Sequence, residues 1–234
     1  MKAMILAAGL GTRLKPFTDK HPKALAIVNG KTVLERNILY LQQFGISEVI
    51  VNVHHFADQI IDIIHANKGW GSNIYISDEH NEILETGGGI LKAASFLEQS
   101  EDALVMNADI LTNLPLIDMI AVHRRRRPLA TLATTNRLTS RYLLFNDEDE
   151  LTGWKNIKTN ELKGRDGRAK AFSGIQILSK EIFKKIPFTG KFSMIDVYLQ
   201  LCAENSILSF DHSNSKMIDI GTMEKLEKAN ALFE

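Results

Sequence analysis

The chain has 234 residues, 44% of them hydrophobic and 24% charged, enough for a full buried core without disulfide or metal staples. Lys plus Arg and Asp plus Glu each total 28, so the formal net charge is zero. That balance excludes a global electrostatic pull toward nucleic acid or an anionic membrane, and neither partner is expected; a phosphate-bearing ligand must be held by a local site.

Met4-Ile5-Leu6-Ala7 reads as a short buried strand. The N-terminal apolar run stops at glycine after about six residues, too short for a signal-peptide core or a membrane span, so a cytoplasmic location is expected. Residues 32–44 carry Val33, Leu34, Ile38, Leu41 and Phe44 at helical spacing, with Gly45 as C-cap. A β-branched strand follows at 48–53, an isoleucine-rich helix at 57–65, a strand at 74–77, a helix at 89–97 and a strand at 103–106. This alternation predicts a parallel sheet wrapped by helices on both faces.

The second half is patterned differently. Residues 115–122 read as a helix whose end gathers His123 and Arg124 to Arg127, cations that complement its dipole, before Pro128 stops it. Strands are expected at 129–136, 141–145, 151–155 and 171–178, with a polar turn at 146–150, as antiparallel additions forming the far wall of a cleft. Ser193 and Asp196 read as a variant capping box, and Cys202, in the apolar run 197–203, as a buried helix position. His54 and His55 close a strand and lack a third ligand for zinc.

In open α/β sheets ligands sit beyond the carboxyl ends of the strands, where Leu6-Ala7-Ala8-Gly9-Leu10-Gly11-Thr12-Arg13-Leu14 falls. Glycines there let backbone N–H groups approach phosphate oxygens, Arg13 adds a planar donor fork and Lys23 a mobile point charge. Leu14 stands where a dinucleotide-binding fingerprint needs glycine, and no Gly-Lys-Ser/Thr completes a P-loop.

The longer pattern, Leu6-Ala7-Ala8-Gly9-x-Gly11-Thr12-Arg13-Leu14-x-Pro16-x-Thr18-x-x-x-Pro22-Lys23-x-Leu25, closely resembles the signature of the sugar nucleotidyltransferase (NDP-sugar pyrophosphorylase) family. The resemblance continues at Asn107-Ala108-Asp109, Phe172-Ser173-Gly174-Ile175 and Ile218-Asp219-Ile220-Gly221-Thr222. Leu84-Glu85-Thr86-Gly87-Gly88-Gly89 further resembles a segment of N-acetylmuramate-1-phosphate uridylyltransferases, and Gly-Thr-Gly-Gly variants of it occur in guanylyltransferases. Ala108 departs from the family's usual glycine, Met217 from its frequent tryptophan, and of a Glu-Lys-Pro motif only Lys155 remains.

The resemblance implies an α/β, Rossmann-like three-layer αβα fold with a mostly parallel central sheet and antiparallel additions. It implies one domain over 1–234, with a nucleotide-binding lobe at about 1–112 and a sugar-binding lobe at about 113–234. The implied reaction joins a nucleoside triphosphate to a sugar 1-phosphate and releases pyrophosphate, with UTP and an N-acetylmuramate-type sugar favoured. Leu6, Ala8, Gly9, Gly11, Thr12, Gly87 and Gly88 would bind the nucleotide, and Arg13 and Lys23 would neutralise phosphate charge. Asp109 and Asp219 would hold Mg²⁺, a cation that prefers such hard oxygens. Gly174 and Lys155 would face the sugar phosphate. A mannose- or heptose-1-phosphate guanylyltransferase using GTP is the alternative, and a silent regulatory subunit is disfavoured because Arg13, Lys23 and both aspartates are present. No appended acetyltransferase repeat is expected, and the pattern fixes no oligomeric state.

Overall fold

A computed structural model describes residues 1–233. The first half runs β1 (Lys2–Leu6), β2 (Ile27–Val28), β3 (Lys31–Thr32), α1 (Val33–Gln42), β4 (Glu48–Val53), α2 (Ala57–Ala66), β5 (Asn73–Asp78), α3 (Glu85–Lys92), α4 (Ala94–Leu97), β6 (Asp102–Asn107) and β7 (Ile110–Thr112). The second runs α5 (Leu116–Arg126), β8 (Ala130–Thr135), β9 (Arg141–Phe145), β10 (Leu151–Asn156), β11 (Glu161–Gly164), β12 (Arg168–Ser179), α6 (Met194–Leu201), β13 (Ile207–Asp211), β14 (Met217–Asp219) and α7 (Met223–Leu232).

One sheet carries both halves, in the order β11-β10-β9-β12-β6-β1-β4-β5, with β8 beside β12 and β13 beside β8. Strands β6, β1, β4 and β5 are mutually parallel, while β12 joins β6 antiparallel. Alternate side chains go to opposite faces, as a pleat requires. Ala3 and Ile5 pack with Ile38, Ile60 and Met119 of α1, α2 and α5, whereas Met4 packs with Ile90, Leu97 and Val197 on the α3, α4 and α6 side. The three-layer expectation is met. The added strands are not all antiparallel, because β13 runs parallel to β8.

Helix ends follow the local chemistry. The Thr32 hydroxyl accepts from the Glu35 amide at 3.1 Å, and the Gly45 amide closes α1 on Gln42. Helix α5 takes in the arginines to Arg126 and ends at Arg127 in the left-handed region. Cys202 is half-buried at the C-cap of α6 rather than inside it, because the helix stops at Leu201. The three consecutive glycines also lie inside a helix, α3, and not ahead of one.

Candidate active site

Residues Leu6, Ala8, Gly9, Gly11, Thr12 and Arg13 line a cleft of about 490 Å³ at the carboxyl edge of the parallel strands, together with Lys23 and Asp109. Gly11 takes φ +63°, a conformation costly to a side chain, and a Cβ there would come 2.9 Å from Thr18 Cγ2 and 3.1 Å from Lys23 Cβ. The Leu14 amide and the Thr18 hydroxyl both bond its carbonyl, at 2.9 and 3.0 Å, while the fully buried Leu14 anchors the turn. Gly9 faces open space, so its backbone is free for a ligand to approach. Arg13 is exposed, its guanidinium beside Gly221, where a Cβ would come within 3.5 Å of Cζ.

Asp109 follows β6, and Asp219 ends β14. Strands β7 and β14 pair antiparallel, with Asp219 opposite Ile110, and the Ile220 amide donates to the Asp109 carbonyl at 2.9 Å. Two carboxylates distant in sequence thereby stand side by side. Lys23 lies between them, ion-paired to Asp109 Oδ2 and 3.7 Å from Asp219 Oδ1, and Lys225 reaches Asp219 Oδ2 at 3.4 Å. The Oδ1 atoms of both aspartates are buried and accept no hydrogen bond from the protein. Buried acceptors without donors are costly, so two of them on adjacent acids fit a hard divalent cation. Thr222, not Asp219, caps α7, accepting from the Lys225 amide at 3.3 Å. No cluster of three or more His, Cys, Asp or Glu ligands exists among the described residues.

Gly87 and Gly88, where the sequence places a nucleotide contact, have a packing role in the structure. Both are buried, both amides donate to the Phe192 carbonyl, and added side chains would strike the Phe192 ring and the Gly190 carbonyl. These glycines let α3 dock on the 190–194 segment, where the Thr86 hydroxyl accepts from the Met194 amide at 2.9 Å. Their neighbours Glu85 and Thr86 line the cleft instead. Gly174 packs against Asn107, itself a cleft residue, at an irregularity where β12 loses register with β8. Lys155 lies on β10 outside this cleft and lines a separate depression of about 300 Å³ with Glu161 and Asp166.

Asn52 and Glu79 were not expected here. Both are nearly fully buried, yet both line the cleft. The only signal was Asn52 itself, a polar residue within Val49-Ile50-Val51-Asn52-Val53. Near Gly174, His212 shares a 2.7 Å hydrogen bond with the Ser173 hydroxyl, and burial pushes its imidazole down to about 4. His54 bonds the Glu79 carbonyl through Nδ1.

Glycine backbone facing open space beside paired acids and lysines is an arrangement whose chemistry suits phosphate. The nucleotidyl transferase family matches residues 2–157. N-acetylmuramate alpha-1-phosphate uridylyltransferase of Neisseria meningitidis serogroup B is 31% identical over 99% of this chain and 98% of its own. The enzyme of that name from Caulobacter vibrioides is 43% identical over 46% of this chain and 45% of its own. The crystal structure of HddC from Yersinia pseudotuberculosis complexed with GMP-PN, 26% identical, superposes with TM-score 0.77 over 100% of this chain and 99% of its own. The chain belongs to the nucleotidyl transferase family, in its branch of sugar-1-phosphate nucleotidyltransferases. Enzymes of this family join a nucleoside triphosphate to a sugar phosphate and generally use a divalent metal. No helix among the described residues is long and apolar enough to cross a membrane.

Proposed function

We propose that the protein transfers a uridylyl group from UTP to an N-acetylmuramate-type sugar 1-phosphate, releasing pyrophosphate in the cytoplasm, and that 1–234 acts as one domain. The kinship that carries this reading is the full-length 31% identity to a uridylyltransferase for that sugar. The sugar-phosphate oxygen attacks the α-phosphorus in line, and pyrophosphate leaves. Such chemistry asks the protein mainly for positioning and charge neutralisation.

The Gly9 and Gly11 region, with Leu6, Ala8 and Thr12, holds the triphosphate. Arg13, exposed over Gly221, grips the departing pyrophosphate through its fork. Lys23 neutralises charge between the two phosphates from its place between the aspartates. Asp109 and Asp219 hold Mg²⁺, which when bound neutralises phosphate charge and orients the α-phosphate. Gly174 presents backbone to the sugar, while Lys155, on β10 outside the cleft, is given no contact with the reacting phosphates.

The test is the initial rate of pyrophosphate release with UTP, GTP, CTP and dTTP, each paired with muramate-, glucosamine-, mannose- and heptose-1-phosphates. UTP with N-acetylmuramate 1-phosphate should be fastest. A preference for GTP with a mannose or heptose phosphate, the reading favoured by the likeness to HddC and its GMP-PN complex, would overturn the substrate assignment and leave the reaction class intact.

A further inference from the structure

Glu79 is 2% exposed, yet its carboxylate pairs with no Lys, Arg or His among the described residues. Its Oε1 accepts from Asn52 Nδ2 at 2.7 Å and its Oε2 from the Leu84 amide at 3.1 Å. Asn52, also 2% exposed, accepts the Ala7 amide on Oδ1 at 2.7 Å. The result is one directional chain of hydrogen bonds across the floor of the cleft, from the first amide after β1 to the last residue before α3.

Both ends of this chain are backbone donors, and that fixes the polarity between them. Asn52 must turn its oxygen to Ala7, so its amide faces Glu79. Glu79 must then offer acceptors on both sides, which only a carboxylate does. Gly89 belongs to the same device: a Cβ there would lie 2.8 Å from Glu79 Oε1 and 3.0 Å from Asn52 Nδ2. The third glycine of α3 is therefore the room the pair occupies.

Leaving a carboxylate in such a place without a countercharge is expensive, and a hydrophobic pair would fill the volume more cheaply. What the acid supplies is a fixed separation between the phosphate loop that starts at Ala7 and the 79–86 segment, which contributes Glu79, Ile83, Glu85 and Thr86 to the opposite side of the cleft. We propose that Asn52 and Glu79 are positioning residues, a polarity-locked strut that sets the spacing of the nucleotide cleft. The inference rests on the assignment of this cleft to the nucleotide.

The polarity argument predicts a rescue. In Glu79→Gln one amide hydrogen must face another donor, whichever way the glutamine and Asn52 turn. In Asn52→Asp two carboxylate oxygens face each other. Combining them restores every partner: Ala7 donates to the new aspartate, the new glutamine donates to its other oxygen, and Leu84 donates to the glutamine oxygen. The shape and the single negative charge are preserved.

Purified wild type, E79Q, N52D and the double variant are compared for melting temperature, kcat, and KM for nucleotide and for sugar phosphate separately. Each single variant should raise the nucleotide KM by about 10-fold or more, the scale of one buried donor left facing another. The sugar-phosphate KM should stay within about threefold, and the double variant should return to within about threefold of wild type. An unchanged nucleotide KM in E79Q, equal rises in both KM values, or a double variant no better than the singles would overturn the strut. Failure of the wild type to release pyrophosphate from any pair would instead overturn the functional reading. The strut would then be judged by nucleotide binding in calorimetry and by melting temperature, with the same rescue required.

Discussion

The amide of Ile220 donates to the carbonyl of Asp109, so a backbone hydrogen bond beside the β7–β14 ladder ties the two acid-bearing segments together at the acids themselves. Each aspartate keeps one buried oxygen without a donor. A change of charge at either position should therefore disturb cation binding and leave the segments joined.

Asp109→Asn and Asp219→Asn should each lower kcat by about 100-fold or more at any Mg²⁺ concentration, a loss of ~3 kcal/mol of charge stabilisation. Melting temperature should stay close to wild type, since the backbone pairing of β7 and β14 is untouched. Pyrophosphate release against Mg²⁺ concentration checks this, and full turnover at an unchanged metal requirement would remove the acids from the metal site.

Arg13→Lys keeps the charge and loses the planar fork. With the side chain exposed over Gly221, little packing is lost. We expect kcat/KM to fall by about 10-fold or more, one charge-assisted hydrogen bond's worth, with no change in melting temperature. Kinetics equal to wild type would make Arg13 an ordinary surface residue.

Glycine substitutions should separate packing from ligand approach. Gly87→Ala drives a methyl into Phe192 and should cost about 1–3 kcal/mol, lowering the melting temperature by about 2–4 °C per kcal/mol for a chain of this size. Gly9→Ala meets nothing within 4 Å and should leave stability within about 0.5 kcal/mol while raising the nucleotide KM. Thermal unfolding paired with kinetics distinguishes the two, and a stable Gly87→Ala would refute the docking role.

Acid should destabilise the fold through His212. Burial lowers its imidazole from 6.5 to about 4, with Arg137 adding to the effect and Asp211 opposing it. The unfolded chain then binds the extra proton first, so the stabilisation is complete above about pH 6.5 and is lost on the way down to pH 4, on the order of 3 kcal/mol in all. Burial also lowers His123, which acts in the same direction. Urea midpoints should drop between pH 7 and pH 5, and His212→Gln should flatten that dependence; an equally steep variant would assign it elsewhere.

Much of the site is written in residue type and spacing. The Leu6–Arg13 loop stood out through its glycines after a strand, whereas Asp109 and Asp219 stood out only through the resemblance to the family, because a lone aspartate at a strand end has many ordinary uses. The alternation of β1, α1, β4, α2 and β5 was equally legible, because burial on both sheet faces imposes its own periods.

What could not be read depends on contacts between distant segments. Gly87 and Gly88 look like a loop next to a ligand until Phe192 is seen lying on them. Strands β7 and β14 have three residues each, too few to display a period, and exist because they pair with each other. Asn52 announced itself as a polar residue in an apolar strand, but its partner Glu79 lies 27 positions on, with no pattern joining them.

Strand β12 has a mechanical consequence. Its last five residues are stitched to β6 in the middle of the sheet, and its first three to β9 in the outer wall. Its ladder with β8 slips between Phe172 and Gln176, around Ser173 and Gly174. The strand is thus a cantilever, clamped at one end and loaded at the other, with its weakest section at the slip. Any bending of the outer wall over a bound sugar must concentrate at that section, so the same few residues that would touch the sugar would also set how stiffly the wall yields to it.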